Sequence, residues 1–588
     1  MSSYASKTEL PVWKFAIDKL DAGEALGFHS AECDDSGFSD VPAGKAWDQY
    51  EIAMHRCETV GWYRVHIDVK KNPDTRHYLD FDGVGGIFAV YVNGEKAAEE
   101  LQRYLPATVD IEDFLRDGEN LVAIKVDNRH RKSRHLTGGK IIEWLLYGGL
   151  IHKVYLTEEP VRRISHTFVK AEHTGEAAIE IEVRNDGKEA LDGSVEIEFA
   201  GERAQEKVVC AAGESAKVKL NVCAKNVTPW SPDTPALYEL CASLRDGDGR
   251  EIYSARERTG FRTIECRGTH ILLNGSELFI KGANRYDEYD PWGPSVPEDK
   301  IREDLLLMKS CGMNFVRTHY EQDPAIYRIA DEIGIMYMLE VPLNWWAPVD
   351  PDEDAAKNGG VFSADEDWCG SWDSLERIAE TNLDITFERF CNHPCWVVWS
   401  MSNECRHFTK DGIRILSSLA ARARGYDSGR LITNVACIDP KTREELDYCD
   451  FIGFNAYDGM LCAPEQKAVR IGEFGEKVYD SATKRMAAIR DLFPEKPIVM
   501  TEFGGRSIYG VHGDFPESED HHAEYIRCVC RAFLSIEEIR GLVLWSWADY
   551  HHNWDMEEPF GPYGVVTVDR KIKAKPFEAM KEVFEGIK

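Results

Sequence analysis

The sequence predicts three domains: a β jelly roll over residues 1–160, an immunoglobulin-like β-sandwich over 161–262, and a C-terminal (β/α)8 barrel over 263–588. Three observations carry this reading. A chain of 588 residues has room for about three or four domains at roughly 150 residues each. Up to about residue 262, apolar and polar residues alternate with period two, as in strands with one buried face. Beyond that point short apolar runs alternate with helical stretches, the mark of repeated βα units.

In the first domain Val65-His-Ile67-Asp-Val69 alternates, Ile87 to Val92 is a second apolar run, and Asn93-Gly94 supplies the positive-φ turn of a hairpin. Leu121 to Val126 follows the same logic. Short strands with turn signals and few helical stretches suit a jelly roll. In the second domain Ala178–Val183, Val195–Phe199 and Val218–Val222 alternate more cleanly, with turns at Asn185-Asp-Gly187 and Gly247-Asp-Gly249. A sandwich spacer without a catalytic role is expected there.

Eight apolar runs make up the third domain: Leu278–Gly282, Met313–Thr318, Ile335–Glu340, Trp396–Met401, Leu431–Val435, Phe451–Asn455, Ile498–Glu502 and Val543–Trp547. Between the first two, Pro297-Glu-Asp299 opens a helix. Ile301, Leu305 and Met308 then share one face, and Gly312 follows the end.

A barrel of this kind builds its site at the C-terminal ends of its strands, and polar residues gather there. The ends read Asn284-Arg285-Tyr-Asp-Glu288, Arg317-Thr-His319-Tyr320, Glu340, Ser402-Asn403-Glu404, Asn455-Ala-Tyr457, Thr501-Glu502 and Trp545-Ser-Trp547-Ala-Asp549. Carboxylates at such positions are costly unless paired, hydrogen-bonded or used. Two glutamates facing each other from strands 4 and 7 suit hydrolysis of a glycosidic bond, one donating a proton and one attacking the anomeric carbon. The two acids alone leave other barrel chemistries equally open.

Lys+Arg 70 against Asp+Glu 102 gives a net charge of −32. Phosphate backbones and anionic lipids need clustered cations, so neither a nucleic-acid nor a membrane partner is expected. No stretch approaches the roughly 18 apolar residues of a membrane span. The 16 cysteines are scattered, and the N-terminus has no secretion signal. A cytoplasmic protein with reduced thiols is expected. There is no His-Glu-x-x-His. Gly83-Val-Gly85-Gly86-Ile-Phe88 lacks the third glycine of a dinucleotide fingerprint. Neither metal nor cofactor is expected.

His393-Pro-Cys-Trp-Val-Val-Trp-Ser-Met-Ser-Asn-Glu404 closely resembles the acid/base motif of glycoside hydrolase family 2, the family of β-galactosidases and β-glucuronidases. Lys281-Gly-Ala-Asn284-Arg285, Arg317-Thr-His319-Tyr320 and Pro497-Ile-Val-Met-Thr-Glu502-Phe-Gly-Gly resemble its strand 1, strand 2 and nucleophile signatures. The family's domain order matches too, so the resemblance covers essentially the whole chain.

The resemblance implies Glu404 as general acid/base and Glu502 as nucleophile. It implies Asn403 as partner of the 2-hydroxyl, Tyr457 as the residue orienting the nucleophile, and His319 and Trp545 as walls of the sugar site. Asn284 and Arg285 belong to the strand 1 signature. For His319 and Trp545, packing at the barrel mouth is the alternative. Glu143, in Glu143-Trp-Leu-Leu-Tyr-Gly-Gly149, resembles a jelly-roll loop that delivers an aspartate to the sugar's remote hydroxyls. The extra methylene displaces that carboxylate by more than about 1 Å and leaves the C4 stereochemistry open.

The length resembles glucuronidase-like members. Yet residues 557–570, Glu-Glu-Pro-Phe-Gly-Pro-Tyr-Gly-Val-Val-Thr-Val-Asp-Arg, lack the Asn-x-Lys that binds a uronate in typical β-glucuronidases. A uronide would need another cation, and Arg506 and Arg285 are available, unless they pair with neighbouring acids. The expected activity is that of a retaining exo-β-glycosidase on a galacto-configured terminal sugar, a β-galactoside or a β-galacturonide. Glucuronide conjugates are the alternative substrate, and a non-catalytic carbohydrate binder is the alternative class. The partner is then a small glycoside or oligosaccharide, and a homo-oligomer remains open. The acidic stretch Asp350 to Asp367, flanked by Trp345, Trp346 and Trp368, reads as a solvated loop or a lid.

Overall fold

The computed structural model describes residues 5–587 apart from 51–53, 55–56, 130–142, 345–371 and 554–557. The acidic stretch with its three tryptophans, and Glu557, lie outside the described residues.

The first domain is a sandwich of two antiparallel sheets, one of four strands and one of six. Its hydrophobic interior includes Trp13, Trp47, Tyr63, Phe81, Phe88, Val90 and Val122. At the tip of the Ile87–Val92 hairpin, Asn93 and Gly94 take φ of 52° and 89°, so Val92 pairs directly with Glu95. In the second domain, sheets of three and four strands close over Ile179, Ile181, Val195, Ile197, Phe199, Val218 and Leu220. Every one of these falls on the inward side of the alternation.

Eight parallel strands form the closed barrel: Ile280–Asn284, Phe315–Arg317, Met336–Glu340, Trp396–Asn403, Leu431–Ala436, Ile452–Asn455, Ile498–Glu502 and Ile539–Leu544. The first pairs with the eighth, Lys281 opposite Leu542. The first helix runs Glu298–Ser310 after Pro297, with Ile301, Leu305 and Met308 buried, and Gly312 takes φ 85° beyond its end.

Two strands are shifted as a whole from the sequence reading, and five others differ from it by one or two residues at an end. The first begins at Ile280 rather than Leu278, because the Leu278 N–H donates to Ile271 in the preceding hairpin. Asn284 is therefore the last residue of the strand. The eighth is Ile539–Leu544 rather than Val543–Trp547. Gly541 and Leu542 pair with both neighbours there, while Trp545 has already left the ladder for the barrel mouth. Apolar runs alone do not separate a strand from the aromatic segment that continues it.

The domains are tied to one another by hydrogen bonds of buried groups. Tyr147 of the jelly roll donates to Glu288 (2.5 Å), and Tyr104 stacks on Tyr320 with centroids 4.4 Å apart. At the opposite end of the barrel, Arg262 of the sandwich donates to the carbonyls of Pro394 (2.8 Å), Trp396 (2.8 Å) and Gly429 (2.7 Å). These carbonyls lead into the fourth and fifth strands. Arg262→Ala removes three donors to backbone oxygens, each bond worth about 0.5–1.5 kcal/mol net. We expect thermal denaturation to show a clearly lowered midpoint, with turnover at low temperature retained.

Candidate active site

The strand ends converge on a cavity of about 640 Å³. Glu143, His319, Asn403, Glu404, Tyr457, Glu502 and Trp545 all line it, together with Cys437, Asn455 and some of the residues between Asp458 and Arg485 beyond the sixth strand.

At its floor lies Arg317, the last residue of the second strand, with no exposed surface. Its Nε and Nη2 donate to Glu340 (3.1, 3.0 and 2.8 Å). Nη1 donates to Asn284 (3.0 Å) and Glu502 (2.6 Å), and Nη2 also donates to Asn403 (2.8 Å). A planar guanidinium has five N–H groups in a fixed fork, and here they hold acceptors from four other strands. A lysine could not reproduce that geometry.

Glu502 ends the seventh strand. Beyond the Arg317 bond, its other oxygen accepts from the Tyr457 hydroxyl (2.7 Å), and His319 Nε2 lies 3.3 Å from the first. Burial pushes the Glu502 carboxyl up, while Arg317, Tyr457 and Asn455 pull it the other way. Burial and the neighbouring Arg317 charge depress His319 to about 3, so the imidazole is neutral at any working pH and adds no charge to the site. Gly504, two residues past Glu502, is obligatory: a Cβ there would lie 2.0 Å from the Trp545 carbonyl oxygen.

Glu404 directly follows the fourth strand, with φ 52°. A non-glycine residue in this left-handed region stores strain of order 1–3 kcal/mol and persists only where its surroundings impose it. They do so here: Asn403 N–H donates to Leu343 (2.8 Å) and Glu404 N–H to Val435 (2.9 Å). The Glu404 carboxylate accepts from the Asn455 amide (2.6 Å), and Asn455 lies opposite Glu502 in the parallel register.

Asn403 is clamped between Arg317 and Asn344, to which its own amide donates (2.5 Å). Trp545 packs edge-on against His319 and Tyr286, with centroids 5.2 and 5.5 Å apart. Glu143 enters from the jelly roll and accepts from Tyr550 (2.6 Å). Burial pushes it up to about 8, and the charges of Glu502 and Glu404 add to the effect.

Three residues named from the sequence stand elsewhere. Asn284 is buried below the cavity, with its amide donating to the carbonyls of Thr501 (2.9 Å) and Leu544 (3.2 Å). Arg285 bonds Asp304 (2.9 Å) and Gln322 (2.6 Å) and does not line the cavity. Arg506 also stays off the lining, pairing with Glu558 and, at 3.4 Å, with Glu517. Conversely, Glu340, Asn344, Asn455 and Tyr550 hold the site and received no role from the sequence. A glutamate and asparagines within runs otherwise apolar were the available signal.

Residues 44–160, 162–262 and 264–588 match, in order, the sugar binding domain, the central domain and the TIM barrel domain of glycosyl hydrolases family 2. The chain belongs to that family. It is similar to a β-galactosidase of Thermoanaerobacter pseudethanolicus, 27% identical over 525 residues, 84% of this chain and 66% of that protein. It is 25% identical over 589 residues to a β-glucuronidase of Paenibacillus borealis, 96% of this chain and 94% of that one. Against β-galactosidases of Alteromonas mediterranea and Vibrio cholerae it spans only 33% and 40% of their lengths. Its fold is like that of a β-galacturonidase of Eisenbergiella tayi bound to galacturonate, with TM-score 0.82 at 22% identity, covering 100% of this chain and 98% of that one.

Two outcomes are expected from this geometry. Arg317→Lys replaces a fork of five N–H groups by three on one nitrogen and lowers kcat by at least about 100-fold, the cost of misplacing reacting groups. Glu143 has the opposite kind of signature. A carboxyl raised from 4.5 to about 8 in the folded protein holds a proton that the unfolded chain releases, so its contribution to stability is full at low pH and declines as pH rises through that window. Glu143→Gln should flatten the fall in thermal midpoint between about pH 5 and pH 8; an unaltered pH dependence would count against a neutral Glu143.

Proposed function

We propose that the chain is a retaining exo-β-glycosidase that removes a terminal, neutral, galacto-configured sugar by double displacement. The observation that carries the reaction type is the pair Glu404 and Glu502 on one cavity, in unlike surroundings. Glu502 has a guanidinium and a phenol hydroxyl on its two oxygens, which favour the ionised form needed to attack the anomeric carbon. Glu404 stands opposite and gives its proton to the leaving oxygen. It then takes one from the water that releases the sugar. Asn403, oriented from both sides, presents its amide toward the 2-hydroxyl, a contact that strengthens toward the oxocarbenium-like transition state.

The choice of a neutral sugar rests on charge. Among the described residues, the basic side chains lining the cavity are Lys477 and Arg485. Lys477 lies 3.3 Å from Glu473, and Arg485 lies 3.5 Å from Asp439 and 3.6 Å from Asp458. Arg285 and Arg506 are engaged with acids outside it. A uronate entering beside Glu143, Glu404 and Glu502 would meet repulsion without a dedicated counter-charge. A protonated Glu143 can instead donate to a sugar hydroxyl.

One observation favours a second reading, a hexuronide: Arg506 is near enough to Glu143 to lower it, so release from Glu558 would turn a cation toward the sugar.

Nitrophenyl β-galactoside, β-galacturonide and β-glucuronide, assayed side by side, test the ranking. We expect kcat/KM to be highest for the galactoside, and a preference for either uronide would replace it with the second reading. Glu502→Gln should fold normally and lose turnover on every substrate; activity near that of the parent would remove the mechanism.

A further inference from the structure

Glu143 reaches the cavity on a jelly-roll loop, and the barrel holds that loop by a short antiparallel pairing. Trp144 pairs with His552. The Leu145 N–H donates to the His551 carbonyl (3.0 Å), and the Asn553 N–H to the Glu143 carbonyl (3.2 Å). Tyr550, whose hydroxyl bonds the Glu143 carboxyl (2.6 Å), lies just before His551 on the barrel side. Backbone bonds of this kind are worth little net of water, so the pairing needs a further anchor to keep one register.

That anchor is Glu288, buried four residues beyond the first barrel strand. Its Oε1 accepts from the Tyr147 hydroxyl (2.5 Å) and from His551 Nδ1 (2.5 Å), and its Oε2 accepts from the His551 N–H (2.9 Å). One carboxylate thus ties the loop that carries Glu143 and the segment that carries Tyr550 to each other and to the end of the first strand. Bonds to a carboxylate are charge-assisted and short. Burial pushes the Glu288 carboxyl up, but the bond and charge of His551 and the bond from Tyr147 outweigh it and hold it below its ordinary value. The Glu288 backbone is fixed as well. Its carbonyl accepts from Arg570 (2.9 Å), and Arg570 and Arg285 share the carboxylate of Asp304 (2.7 and 2.9 Å).

We propose that Glu288 is a positioning residue for sugar recognition: by gripping Tyr147 and His551 together it sets where the Glu143 carboxyl stands in the cavity. This inference rests on the reading of Glu143 as a donor to a sugar hydroxyl. Glu288 does not line the cavity and makes no contact with the substrate. Without it the two segments shift against each other, and a shift of about 1 Å is enough to spoil a directed hydrogen bond to a hydroxyl.

The experiment is a pair of double-mutant cycles, Glu288→Gln and Tyr147→Phe, each with and without Glu143→Ala. It is read as kcat/KM on the nitrophenyl glycoside that the parent turns over fastest, with the thermal midpoint of every variant measured alongside. We expect Glu288→Gln to lose about ten- to 100-fold and Tyr147→Phe about three- to ten-fold. Both losses should shrink to within about two-fold once Glu143 is alanine. A role confined to folding lowers activity by the same factor in both backgrounds. Equal losses with and without the Glu143 carboxyl, or parent-like activity of Glu288→Gln, overturn the proposal. Should Glu288→Gln fail to fold, Tyr147→Phe, which removes a single hydroxyl, decides by the same two comparisons. If Glu143→Ala itself keeps the activity of the parent, the reading of Glu143 fails first and the inference falls with it.

Discussion

Everything at the barrel mouth depends on one buried guanidinium. Arg317 carries a full charge with no exposed surface, a placement that costs several kcal/mol unless every N–H and the charge itself are matched. Its five N–H groups reach Asn284, Glu340, Asn403 and Glu502. Glu340 is itself held by the Ser400 hydroxyl at 2.8 Å. The first, third, fourth and seventh strands are thereby set against the second at the height where chemistry occurs. The barrel closes by backbone hydrogen bonds alone, but those bonds do not fix the rotamer of a side chain at a strand end. Arg317 does, for Glu502 and for Asn403 at once.

That network also explains how two glutamates in one cavity acquire different tasks. Glu502 sits inside a charged cluster whose counter-ion is 2.6 Å away. Glu404 has crossed the end of the strand into a left-handed turn and accepts from the Asn455 amide. Asn455 is a neutral donor, whereas the guanidinium beside Glu502 favours its ionised form. The acid and nucleophile roles proposed for them fit environments that differ in charge, although the residue type is the same.

How much of this was legible in the sequence follows the same division. The domain order, the eight strands and the two glutamates were readable because each is a local pattern: period two, apolar runs, a polar residue at the end of a run. The roles of Arg317, Glu340 and Asn455 were not. Each appears in the sequence as one more polar residue at a strand end, and only closure of the barrel shows that they meet. Asn284 and Arg285 illustrate the reverse error. Adjacent in sequence and grouped in one signature, they point to different places. Asn284 joins the Arg317 cluster, while Arg285 turns to Asp304 and Gln322. The misplaced eighth strand has a similar origin, since Leu544 and Trp545 are both apolar and only pairing with strands on either side decides where the ladder stops.

Charge balance at the far end of the cavity carries the argument to the substrate. Arg506 stacks over Tyr563 at 5.3 Å and is held by Glu558 and Glu517. A guanidinium with two carboxylates presents no net positive field to a third. Glu143 stands nearby with its proton retained by burial, so that corner of the cavity offers a hydroxyl-like donor and the Tyr550 phenol. Neutral polar groups recognise hydroxyls; an ionised sugar carboxylate entering there would have to displace Glu558 from Arg506 to find a counter-charge. The sign of the sugar is thus governed by a competition between two carboxylates for one arginine, and in the structure as it stands the protein's own carboxylate holds it.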